Sequence, residues 1–157
     1  MADDPVAVVQ AVLADPTNLE HVRGLSTPDL RYVSLNDDNP ELHAVMPWSG
    51  VGQGPEAIVR AFDLVWKAWE VVEFRMEHVI ASGGDVAIFG HFTYRSKGLG
   101  KRITTPFAIR SEVRDGKLAF MQFMEDTFGT ASTFRIGGAG RFQTFPGSDE
   151  VSVGDDA

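Results

Sequence analysis

An α+β domain, with three N-terminal helical segments packed on a curved antiparallel sheet of four or five strands, is the fold the sequence predicts. Two observations carry that expectation. Helical spacing of apolar residues is confined to the chain before Val71, and two-residue alternation then runs from Val71 to Thr127. The alternating stretch is cut by Gly83-Gly84-Asp85 and by Asp115-Gly116, both strong turn signals, so consecutive strands should pair antiparallel. The length of 157 residues suits one domain and not two, and a hydrophobic fraction of 43% with 23% charged residues is ordinary for a globular chain.

The elements follow in order. Val6, Val9, Val12 and Leu13 recur at helical spacing, Asp4 is placed to cap that helix, and Pro16 ends it. A shorter helix through Leu19 and Val22 stops at Gly24, and a strand is expected from Asp29 to Asn36. Residues 37–54 hold Pro40, Pro47, Gly50, Gly52 and Gly54 and read as one long loop. Pro55 and Glu56 suit the start of a third helix. Ile58, Ala61, Phe62, Val65, Trp66 and Trp69 form its apolar stripe.

Four strands should follow in the alternating stretch. In the first, Val72, Phe74, Met76, His78 and Ile80 share one face. In the last, Phe120, Gln122, Met124 and Asp126 are the expected inner set. A short helical segment to Phe134 is expected after Thr127. The domain is bounded at residues 1–134, with residues 135–157 as a Gly-rich linker and acidic tail.

Composition removes several classes of function. There is no cysteine, so disulfides, thiol catalysis and thiolate metal sites are out. The net charge of −8 makes nucleic acid a poor partner. The basic group Arg95, Lys97, Lys101 and Arg102 surrounds Gly98 and Gly100, as a solvated hairpin tip would; a site for an anion is the alternative. No eighteen-residue apolar run predicts a membrane span, and Met1-Ala2-Asp3-Asp4 lacks the basic, then apolar, character of a signal peptide. These features fit a cytoplasmic chain. The histidines have no metal-ligand spacing, so no metal and no cofactor are expected.

Pro47-Trp48-Ser49-Gly50, Gly54, Gly84-Asp85-Val86, Val113-Arg114-Asp115-Gly116-Lys117-Leu118 and Glu125-Asp126-Thr127 together resemble the SnoaL-like branch of the nuclear transport factor 2-like superfamily, over roughly residues 5–134. The resemblance implies a cone-shaped curved antiparallel sheet wrapped around the helices and enclosing a pocket. It implies a broad range of roles, from ketosteroid isomerases, polyketide cyclases, epoxide hydrolases and dehydratases to proteins with no catalysis. Asp126 resembles the last-strand aspartate that acts as base in some of these relatives. Two features depart from the pattern: Arg95 is followed by Ser96 and Lys97 rather than completing an Arg-x-Asp, and Ile109 stands where some relatives have a polar group.

The candidate catalytic residues are therefore Asp126, with capping of the next helix as its alternative role, and His78, as a proton relay or as a hydrogen-bonded core histidine. Tyr32, Trp48, Phe62, Trp66, Phe92, Phe107 and Met124 are candidates for the wall of a pocket, each with plain core packing as the alternative. The expected ligand is a small apolar carbonyl compound, and the expected activity an isomerase, cyclase or lyase reaction by acid–base catalysis. A non-catalytic binding module and a dimeric scaffold are the rivals. Met121 and Phe123, on the face opposite Asp126, form the expected homodimer surface.

Overall fold

The computed structural model describes residues 4–154. Residues 1–3, on which the expected lack of a leader partly rests, and Asp155 and Asp156 of the expected acidic tail lie outside that span.

Helix α1 (Pro5–Ala14) begins where the Asp4 carboxylate accepts from the Val6 N–H at 3.0 Å, with Pro5 in the first turn, where its missing N–H costs nothing. It buries Val8, Val9 and Val12. Helix α2 (Leu19–Leu25) is capped by Asn18 and leads directly into strand β1 (Ser26–Ser34). The expected loop over residues 37–54 contains two elements of its own. Helix α3 (Pro40–Val45) is capped by Asn39, and strand β2 (Gly50–Gln53) pairs antiparallel with β1. Helix α4 (Pro55–Ala68) buries Ala57, Ile58 and Ala61.

A four-strand meander follows: β3 (Trp69–Ser82), β4 (Asp85–Ser96), β5 (Arg102–Arg114) and β6 (Lys117–Glu125). Asp115 at φ 49° and Gly116 at φ 71° turn the last hairpin, both residues being left-handed as a type I′ turn requires. Helix α5 (Thr127–Ser132) closes the domain, and a small hairpin, β7 (Gly140–Phe142) with β8 (Val151–Val153), stands apart from the main sheet. An exposed Arg141–Glu150 fork at 2.6 Å ties that hairpin together.

The antiparallel, pocket-enclosing cone does not form. The six strands lie in the order β2-β1-β6-β5-β4-β3, and β1 runs parallel to β6, so the sheet is mixed. It is open at both edges, β2 and β3, with the helices flanking it. Edge strand β3 shows why no closure occurs: after Trp69 every residue but the half-buried Phe74 is exposed, so the strand stands off from the helices instead of folding over them. Among the described residues no helix is long and apolar enough to cross a membrane.

Three β-bulges decide which side chains face the core. In β3, Val71 pairs with Tyr94 and Glu73 with Thr93, leaving Val72 extra; Met76 then pairs with Gly90 and His78 with Phe89, leaving Glu77 extra. In β6, Val113 pairs with Leu118 but Glu112 with Phe120, leaving Ala119 extra. Each extra residue reverses the in–out alternation beyond it. Gly90 is needed opposite the second β3 bulge, where it pairs with Met76, because a Cβ there would collide with the Arg75 carbonyl oxygen.

Candidate functional site

The bulge at Ala119 puts Met121, Phe123 and Glu125 on the helix-facing side of β6. Phe120, Gln122 and Met124 are left on the outer side, where the Arg110 and Arg31 guanidiniums cover the Phe120 ring at 4.8 and 5.8 Å. Glu125 is half-buried as a residue, but its Oε2 is shut off from water and has no hydrogen-bond partner. It is the one carboxylate oxygen among the described residues left in that state. Burial pushes the Glu125 carboxyl up to about 8. The Thr130 hydroxyl pulls it partly back, and the neighbouring Asp126 charge adds to the rise.

Glu125 lines a cavity of about 20 Å³ with Tyr32, Ser34, Trp48, Trp69 and Tyr94. That is room for roughly one water, or for one reacting group of a ligand. Both phenols are pushed well above the ordinary tyrosine range. Burial is the main cause for each, and the Glu125 charge adds to it; the Ser34 hydroxyl works the other way on Tyr32. Each is therefore a neutral O–H donor at any ordinary pH. The wall behind them is aromatic: Trp69 meets Trp48 and Phe134 at 5.0 Å and Tyr94 at 5.3 Å, and its Nε1–H donates to the Thr133 hydroxyl at 3.0 Å.

Of the residues expected from the sequence, the structure gathers Tyr32, Trp48 and Phe62 at this cavity. Asp126 is exposed and caps α5, its Oδ1 accepting the Gly129 N–H at 3.0 Å; the bulge at Ala119 moves it one place out of the interior. His78 is exposed on the outer face of β3 opposite Phe89, carried there by the bulge at Glu77. Met124 sits half-buried on the outer face. Trp66 is 37% exposed and meets Phe62 edge-on at 6.2 Å. Phe92 and Phe107 are core, stacked on Tyr94 at 4.0 Å and on Phe123 at 5.4 Å. Met121 and Phe123, the expected dimer surface, are buried under the helices.

Glu125 and Tyr94 were not among the site residues expected from the sequence, although alternation places Tyr94 on the inner face of its strand with Val86, Ile88, Gly90 and Phe92. Glu125 had no such signal short of the bulge itself.

A second cavity, of about 170 Å³, shares Tyr32 and Trp48 with the first and is also lined by His43, Ser49 and Arg60. A larger one, of about 820 Å³, lies against α5 and the β7–β8 hairpin. Lys101, Arg102 and Arg135 line it, but among the described residues no acid or histidine does. Among the described residues no three His, Asp or Glu side chains cluster as metal ligands would.

Comparison with known proteins agrees with this architecture. Residues 7–121 match the family model described as the SnoaL-like domain, a span that ends just before Glu125. The chain is 39% identical over 136 residues to patulin synthesis protein F of Aspergillus clavatus, covering 83% of this chain and 69% of that protein. It is 38% identical over 135 residues to patulin biosynthesis cluster protein F of Penicillium expansum, covering 83% and 68%. An NTF2-like protein from Burkholderia xenovorans superposes with a TM-score of 0.72 at 17% identity, over 86% of this chain and 98% of that one. The chain thus shares the fold of that NTF2-like protein and belongs to the SnoaL-like domain family.

Proposed function

We propose that the chain is a cofactor-independent acid–base enzyme of the isomerase, cyclase or lyase kind, acting on a small carbonyl compound. The observation that carries this reading is the buried, unpartnered Glu125 Oε2 beside a space the size of one reacting group, flanked by two neutral tyrosines. Glu125 is the base. Its raised pKa makes it a stronger proton acceptor than an exposed carboxylate while leaving a usable ionised fraction near neutrality. Tyr32 and Tyr94 donate hydrogen bonds to the oxygen that gains charge as the proton leaves. The two fungal relatives are named for patulin synthesis, which supports a metabolic role here. The test is exchange of the α-protons of cyclohexanone in D2O, followed by NMR with the wild-type chain and with Glu125→Gln. Acceleration by the wild type that the variant lacks supports the reading; equal rates for both overturn it.

The chain acts as a homodimer in this reading, through a surface different from the one expected. Ile80 (61% exposed) and Phe89 (44%) are apolar and exposed, on edge strand β3 and on β4 beside it, and the outer side of β3 has no partner strand among the described residues. Sedimentation at micromolar concentration should give a two-fold mass that falls to one-fold in Ile80→Lys with Phe89→Lys. A monomeric wild type removes the proposal.

A further inference from the structure

The space beside Glu125 is too small for a substrate, so the body of one must lie elsewhere. The 170 Å³ cavity is next to it, with Tyr32 and Trp48 as common wall. Its size matches the ~150 Å³ that holds a benzene ring in a dry protein cavity. Arg60, on α4, is the one Lys, Arg, Asp or Glu among the described residues of its lining. It makes no ion pair or hydrogen bond with another side chain among the described residues. Glu56, one turn earlier, gives its carboxylate to Arg23 and only lies within Arg60's field. Across the same cavity His43 donates Nδ1–H to the Ser49 carbonyl at 2.8 Å, which fixes the orientation of its ring. An unpaired guanidinium at the rim of a ring-sized space with an aromatic wall is arranged for a planar anion, since its N–H fork matches the two oxygens of a carboxylate.

We infer that this second cavity holds the body of the substrate, that Arg60 binds its carboxylate, and that the substrate class is therefore a small cyclic or aromatic acid. The carbonyl end reaches Glu125 past Tyr32 and Trp48, and this last point rests on the acid–base reading above.

Calorimetric titration with benzoate and with its neutral counterpart benzamide tests the inference. Arg60 is exposed, so Arg60→Gln and Arg60→Lys should fold normally, as circular dichroism would verify. Benzoate should bind the wild type, lose roughly tenfold or more in affinity in Arg60→Gln and lose less in Arg60→Lys. Benzamide should bind all three alike. Equal benzoate affinity in wild type and Arg60→Gln overturns the inference, as does no binding of millimolar benzoate to the wild type. Glu125→Gln should leave benzoate binding in place. Benzoate binding that depends on Arg60, together with proton exchange indifferent to Glu125, would sink the acid–base reading and leave the anion site standing; the reverse pattern would sink the anion site alone.

Discussion

Replacing Glu125 by glutamine should cut proton exchange by about 10²–10⁴, the usual contribution of a positioned general base, while making the fold more stable in alkali. The stability effect follows from where the proton sits. The unfolded chain releases it near 4.5 and the folded chain near 8. Below about 4.5 both states hold the proton, and Glu125 adds no pH dependence. Between the two values only the folded state holds it, so stability falls as pH rises. Above about 8 the folded state carries the whole cost of a buried charge, on the order of a few kcal/mol. Glutamine keeps the shape of the protonated acid and has no proton to lose. Urea melts of the two proteins should nearly coincide at pH 5 and separate by pH 9, with the variant the more stable. Parallel curves across that range would mean that Glu125 ionises as an ordinary surface acid. The exposed acids act in the opposite direction: the Thr27 hydroxyl and Arg114 hold Asp29 low, and Arg23 holds Glu56 low, so what they add is lost in acid.

Trp69→Ala should be the most damaging single truncation at the site, costing about 3–5 kcal/mol. Trp69 is 1% exposed, touches three other aromatic rings and donates to Thr133. Thr133 keeps its bond to the Thr130 carbonyl at 2.7 Å, so the loss is mainly of packing rather than of a stranded hydroxyl. In a domain of this size the melting temperature should drop by roughly 10 °C or more. Trp69 also walls the Glu125 cavity, so its removal admits water and returns the Glu125 carboxyl toward its ordinary range. Trp69→Phe keeps most of the ring contact and should be much milder in both respects. A melt unchanged in Trp69→Ala would show that the aromatic cluster does not hold the helices to the sheet.

What was legible in the sequence is what is decided locally. The Asp4 cap, the stripe Ile58-Ala61-Phe62-Val65 on α4 and the Asp115-Gly116 turn depend on residues within a few positions of one another, and periodicity finds them. Asn39-Pro40-Glu41 carried a start signal of the same kind for α3, but the prolines and glycines around it made the whole stretch look like loop. The parallel pairing of β1 with β6 joins Tyr32 to Met121, and no local pattern encodes a partner that far along the chain. The wall residues Tyr32, Trp48 and Phe62 were legible because large aromatics before and within the third helix have few other places to go. The acid was not. Apolar residues occupy both faces of Leu118–Met124, so alternation alone left the inner face of that strand undecided, and the two-residue turn argued for the unbulged register.

Ala119 therefore does more than kink a strand. Glu125 and Asp126 are adjacent, and the extra residue chooses which of them enters the cavity. Deleting Ala119 would erase the bulge and leave Glu125 where it is, whereas pairing Ala119 with Glu112, with every residue kept, would slide the strand end by one place and turn the shorter Asp126 carboxylate inward. Which carboxylate faces inward is thus set by a pairing register and not by the identity of the residues at the strand end, so one unchanged spelling can present either.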